Sequence, residues 1–69
     1  MKSISGKALC KIVEQQGWQL KRITGSHHIY AKEGVAVILS IPVDSDRDLP
    51  TGTLKGILKD AGMTEDDLQ

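Results

Sequence analysis

Trp18-Gln19-Leu20-Lys21-Arg22-Ile23-Thr24-Gly25-Ser26-His27-His28-Ile29-Tyr30-Ala31-Lys32 is the stretch that decides the fold. Trp18 and Leu20 alternate with Gln19 and Lys21, the period of a strand with one face buried. Thr24-Gly25-Ser26 is turn chemistry. Beyond it, His28, Tyr30 and Lys32 alternate with His27, Ile29 and Ala31, which predicts a second strand. Glu33-Gly34 supplies another short turn. Val35-Ala36-Val37-Ile38-Leu39-Ser40-Ile41 is apolar and rich in β-branched residues, and predicts a third strand ended by Pro42. Three strands joined by short turns make an antiparallel meander.

Helical spacing appears on both sides of the meander. Leu9, Ile12 and Val13 follow i, i+3, i+4, so a helix is expected from about Ser5 to Gln16. Ser3 or Ser5 can cap its start, and Gly17 suits its left-handed end. Lys7, Lys11 and Glu14 fall on its solvent side. Residues 44–50 read as a polar loop. From Thr51, Leu54, Ile57, Leu58 and Ala61 mark a second amphipathic helix. Thr51 or Thr53 is the expected cap, and Gly62 the stop. Gly56 within this helix suggests a close contact that needs a small residue. Thr64 to Asp67 resembles a capping box and predicts a short final turn. The order is α-β-β-β-α, an α+β fold. Two helices, each with one apolar stripe, cover one face of a three-stranded antiparallel sheet.

The chain has 69 residues, the size of a single small domain spanning 1–69. This length excludes a two-lobed enzyme with a large cofactor crevice. Nine basic and nine acidic residues cancel to a formal charge of 0, but unevenly. Residues 1–32 carry six basic residues and one acid, net +5, while residues 33–69 carry three basic and eight acidic, net −5. A polyanion is therefore expected to meet the first half. Cys10 is the lone cysteine, so neither an internal disulfide nor a multi-cysteine zinc site is expected. Its place on the first helix is that of a small apolar filler. No apolar run approaches the ~18 residues of a membrane span, and the N-terminus lacks the apolar core of a signal peptide. The expected location is the cytoplasm, with no membrane partner.

His27 and His28 are the sharpest chemical feature. Histidine as a residue type exchanges protons near neutral pH. Neighbours on a regular strand point to opposite faces, so one histidine acting with basic residues is favoured over a two-histidine pair. Adjacent histidines are also poor partners on one metal ion, and no metal site or cofactor is expected. A single histidine suffices for RNA cleavage, because the nucleophile, the 2′-hydroxyl, belongs to the substrate. Lys21 and Arg22 are candidate phosphate contacts, facing opposite ways if their strand is regular. Ser5-Gly6-Lys7 gathers free N–H groups, a hydroxyl and a cation at a helix start, although alone it reads as an ordinary cap. Tyr30 shares a face with His28 and is a candidate for stacking on a base. Trp18 is expected in the core. Thr51-Gly52-Thr53-Leu54-Lys55 could present N–H groups to phosphate and reads equally as a plain cap.

Taken together, Ser5-Gly6-Lys7, Gly17-Trp18, Gly25-Ser26-His27-His28-Ile29-Tyr30, Leu49-Pro50 and Gly52-Thr53-Leu54-Lys55-Gly56-Ile57-Leu58 resemble the HicA (YcfA-like) toxin family, from about residue 3 to residue 63. The resemblance implies a fold similar to a double-stranded RNA-binding domain. It also implies a metal-independent endoribonuclease, an mRNA interferase, neutralised by a HicB-like antitoxin. The family's catalytic histidine directly follows Gly-Ser and maps to His27, with His28 in a secondary role as an RNA contact. Lys7, Lys21 and Arg22, with Ser5, are then expected to hold phosphate, and the Gly25-Ser26 turn to let backbone approach the RNA. Two departures stand out. Asp44 follows Pro42-Val43 where many relatives carry a histidine, and the chain is neutral where many relatives are basic. Two other readings stay open, a non-catalytic RNA-binding module and an inactive interaction subunit.

Overall fold

The computed structural model describes residues 3–68. The elements are α1 (Gly6–Gln15), β1 (Gln19–Thr24), β2 (His27–Ala31), β3 (Leu39–Pro42), α2 (Thr51–Ala61) and a final 3₁₀ turn, Glu65–Leu68. The α-β-β-β-α order read from periodicity is the order observed. The sheet is antiparallel throughout, in the order β1-β2-β3.

Local chemistry explains the helix boundaries. The Ser5 side-chain oxygen accepts from the Ala8 N–H at 3.1 Å, satisfying one of the free amides at the start of α1. Gly17, at φ 99°, turns the chain out of the helix. Leu9, Cys10 and Val13 are buried along one stripe. In α2 the sequence reading of the cap needs correction. Pro50 is the cap residue and no side chain caps the helix among the described residues. A proline there is pre-set for extended backbone but brings no acceptor. Gly62, at φ 69°, closes α2 as expected. In the final turn, the Thr64 N–H donates to Asp67 Oδ2 at 2.8 Å, half of the capping box.

Pairing register assigns the two sheet faces. Tyr30 pairs with Leu39 and His28 with Ile41, and paired residues share a face. Tyr30, Leu39 and Ile41 are buried, packed with Leu9, Val13, Leu54 and Leu58 of the helices. The opposite face carries Arg22, Thr24, His27, Ile29 and Ser40. Both helices pack against β3, so the core lies at that side of the sheet. Trp18, buried just before β1, closes it as the sequence suggests.

The third strand is shorter than its sequence implies. Residues 35–38 are outside it, and Val35, Val37 and Ile38 are exposed. The Val35 N–H donates to the Lys32 carbonyl at 3.0 Å, closing a turn around Gly34. An unbroken apolar run needs cover on both faces, and the helices cover one.

The end of β3 is the tightest junction. Gly6 is buried, and a Cβ built on it would be driven into the Pro42 carbonyl. Gly56 is different. Among the described residues nothing lies within 4 Å of its missing Cβ, so the close contact expected there does not exist. Gly6→Ala should therefore lower stability by roughly 1–3 kcal/mol through overpacking. Gly56→Ala should raise it by roughly 0.5–1 kcal/mol through helix propensity. Urea denaturation of the two variants beside wild type measures both signs.

Candidate functional site

His27 is the first residue of β2, and it is exposed. The hairpin before it has a two-residue loop, because Thr24 pairs directly with His27. Gly25 takes φ 59°, and Ser26 has no positive φ. This is the φ pattern of a type II′ turn, which suits the strand twist and favours glycine first. Among the described residues nothing stands within 4 Å of the Gly25 Cβ position, so the backbone there is open to approach. The turn is fixed from its other side. The Val43 N–H donates to the Ser26 carbonyl at 2.7 Å, continuing the β2–β3 ladder past its last pair.

Two basic side chains reach the same region by different routes. Arg22 pairs with Ile29 and so shares the open face with His27, one diagonal step away across the strands. Lys21 is not regularly placed. The register shifts between Leu20 and Arg22, leaving Lys21 as the extra residue of a β-bulge, and the strict alternation expected of Lys21 and Arg22 does not hold. Its ammonium donates to Gln19 Oε1 at 3.2 Å on the exposed surface.

The remaining candidates divide clearly. His28 is half-buried on the helix-facing side, opposite Ile41, so the two histidines point apart, as strand alternation requires. Tyr30 shares that side with His28, but its ring is 1% exposed. The expected stacking of Tyr30 on a base is corrected by this burial, because no face of the ring is open. Its hydroxyl donates to Glu14 Oε2 of α1 and ties the sheet to the helix. Ser5 is half-buried with its oxygen engaged by the Ala8 amide. Lys7 is exposed in the first turn of α1. Gly6 lies against Pro42, and Pro42 is the register partner of His27. The start of α1 and the histidine therefore flank the same residue.

Sequence reasoning missed the loop that follows. Residues 44–48 are exposed, as expected of a polar loop, but the end of the loop is tied to the segment before α1. The Leu49 N–H donates to the Ile4 carbonyl at 2.8 Å, Leu49 is buried, and Ser5 bridges to Asp48. The loop carries Asp44 and Arg47, paired at 3.6 Å with both side chains largely exposed. A hollow of about 310 Å³ opens there, lined by Pro42, Asp44, Arg47, Leu49 and Thr53 among others. The fold thus carries part of the acidic half of the sequence back onto the basic half, at the start of α1. Lys21 and Arg22 of β1 are exposed and do not line this hollow. Leu49, an apolar residue directly after the charged run Asp44 to Asp48, was the available sequence signal. Among the described residues no group of three or more His, Cys, Asp and Glu could hold a metal ion, and no helix is long and apolar enough to cross a membrane.

The chain is thus a small α+β domain that presents an exposed histidine directly after a Gly-Ser turn. The family model described as "HicA toxin of bacterial toxin-antitoxin" matches residues 6–63, so the chain belongs to the HicA toxin family. No curated protein matches the chain.

Burial, then the hydrogen bond to Glu14, raises the Tyr30 phenol well above its usual range. Burial likewise raises the Cys10 thiol. The native state therefore keeps a proton that the unfolded tyrosine releases near pH 10. The stabilisation is complete below that pH and is lost as the pH rises beyond it. Tyr30→Phe should cost about 1 kcal/mol at pH 7. The gap between wild type and this variant should narrow as the pH passes 10, as urea midpoints from pH 7 to 11 would record.

Proposed function

We propose that this toxin is an endoribonuclease that cleaves messenger RNA, with His27 as its acid–base group. The observation that carries the reading is the exposed His27 on the open sheet face beside Arg22, held by a turn whose backbone is uncovered. An RNA strand lying across this face presents a 2′-hydroxyl to the imidazole. The imidazole takes that proton as the 2′-oxygen bonds to phosphorus. The bond from phosphorus to the 5′-oxygen breaks, and the departing oxygen takes up a proton. The products are a 2′,3′-cyclic phosphate and a 5′-hydroxyl. Arg22 and Lys21 stabilise charge on the phosphoryl oxygens, a contribution that preorganised cations make without reorganising during reaction. His28, turned toward the helices, supports the strand rather than the chemistry. Lys7 holds phosphate further along the strand, with Ser5 offering its hydroxyl hydrogen. The whole chain, 1–69, acts as one domain, in the cytoplasm where its substrate is, and a HicB-like antitoxin silences it.

A positioned general base contributes ~10²–10⁴-fold, so His27→Ala should lower RNA cleavage by about that factor. His28→Ala should lower it less than about tenfold, since a group outside the chemistry does not supply that term. Both assays are run in EDTA, with the cyclic phosphate identified by mass spectrometry. Equal cleavage by wild type and His27→Ala removes His27 from the mechanism. Duplex RNA binding that survives His27→Ala, with no cleavage by wild type, makes the domain a binding module instead.

Several phosphates contacted by Lys7, Lys21 and Arg22 imply a steep salt dependence. In binding assays in the His27→Ala background, which leaves the RNA uncut, Arg22→Ala should weaken RNA binding and reduce the slope of log K against log salt by about 1. An unchanged slope would place Arg22 off the phosphate path.

A further inference from the structure

The outer edge of β1 is the feature that the ribonuclease reading leaves unused. Among the described residues β1 pairs with β2 alone, so its other edge presents free backbone N–H and C=O groups. All six residues of β1 are exposed. The bulge at Lys21 places Leu20 and Ile23, three residues apart, on one side of the sheet, since they pair with Tyr30 and His28 respectively. That is the core side, yet Leu20 is 44% and Ile23 56% exposed, because both helices pack over β3 instead. Val35, Val37 and Ile38, also exposed, belong to the loop that leaves β2 at the same end of the sheet as Leu20. Exposed apolar side chains beside an open strand edge mark a place where another strand adds.

Charge selects what adds. β1 carries Lys21 and Arg22 and no acid. A second copy of the chain would bring two like-charged edges together, and cations on an edge strand oppose such self-pairing. RNA offers its phosphates to Lys21 and Arg22 but has no use for Leu20 and Ile23. A strand alternating acidic and apolar residues answers both features. The family supplies a partner of the right kind, because a toxin of this class is paired with an antitoxin.

We propose that the antitoxin docks by adding an acidic, apolar-alternating strand to the outer edge of β1, seating its apolar residues on Leu20 and Ile23 and its acids on Lys21 and Arg22. The proposal rests on membership of the toxin family and extends the partner reading above. The added strand would lie beside Arg22, one diagonal step from His27, and would take the cations away from RNA. Neutralisation then needs no contact with the imidazole itself.

The test uses the full chain with its cognate antitoxin. Leu20→Asp/Ile23→Asp should weaken antitoxin binding by at least about tenfold in calorimetry, because each new carboxylate would be buried against apolar groups and acids. Lys59→Glu, on α2 and far from β1 in sequence, should leave the affinity unchanged. Circular dichroism reports whether the double variant folds. In parallel, hydrogen exchange on the wild-type complex should show new protection of the β1 amides that β2 does not bond. Unchanged affinity in a folded double variant, or no new β1 protection in the complex, overturns the proposal. Neither readout depends on RNA cleavage. A protein without ribonuclease activity would sink the catalytic reading and leave this one standing, and a failure at β1 would leave His27 chemistry untouched.

Discussion

The close approach of two backbones at the end of β3 governs the rest of the structure. Gly6 sits on the Pro42 carbonyl with no room for a side chain. The same Pro42 is the register partner of His27, and the next residue, Val43, holds the Ser26 carbonyl. Two segments far apart in sequence, the start of α1 and the β1–β2 turn, are thus indexed to Pro42 and Val43. Helix α1 cannot slide along β3 without opening the Gly6 contact. The β1–β2 turn cannot pivot without losing the Val43 bond. A small domain has limited apolar area with which to hold a site rigid, and this junction uses backbone contact instead.

The second constraint is the bulge in β1. One extra residue at Lys21 resets alternation along the strand. Arg22 holds the open face with His27 through the unbroken register from the turn, and the shift carries Leu20 onto the opposite side with Ile23. Without the shift, one of that apolar pair would stand among the charged groups of the open face. The bulge therefore separates two surfaces on a single six-residue strand, one cationic and facing the histidine, one apolar and unpartnered. The pairing of Asp48 with Ser5 adds the complementary restriction, since it brings acid to the start of α1. Among the described residues, Lys21 and Arg22 on β1 have no such acid paired beside them on the strand.

Much of this was legible in the sequence, and the failures share a cause. The helices were readable because Leu9, Ile12 and Val13, and Leu54, Ile57, Leu58 and Ala61, keep one spacing that one packed face explains. The hairpin was readable because Gly25-Ser26 permits so tight a turn. The opposed orientation of His27 and His28 followed from strand geometry alone. The length of β3 was not readable, because apolar content does not say how far the covering helices extend. Tyr30 was placed on the correct face, but alternation does not say which face is the core. Gly6 and Gly56 look alike in sequence, and what meets each is set by chain segments dozens of residues away. The loop 44–50 hid its role for the same reason, since the Leu49–Ile4 bond and the Ser5–Asp48 bridge are long-range.

The divergence of the two histidines limits the chemistry available to the proposed ribonuclease. With His28 facing the helices, no second imidazole stands ready to protonate the leaving oxygen. On that reading a single ring serves both steps in turn, taking the proton from the 2′-oxygen and returning it to the departing 5′-oxygen. Such a ring must reach both oxygens from one position, so it has to stand at the side of the phosphate rather than in line with the attack. An exposed residue at the first position of a strand has that latitude, whereas one seated mid-strand among neighbours does not. Rigid backbone on either side, through the Gly25-Ser26 turn and Pro42, then fixes where the ring pivots while leaving the ring itself free to turn.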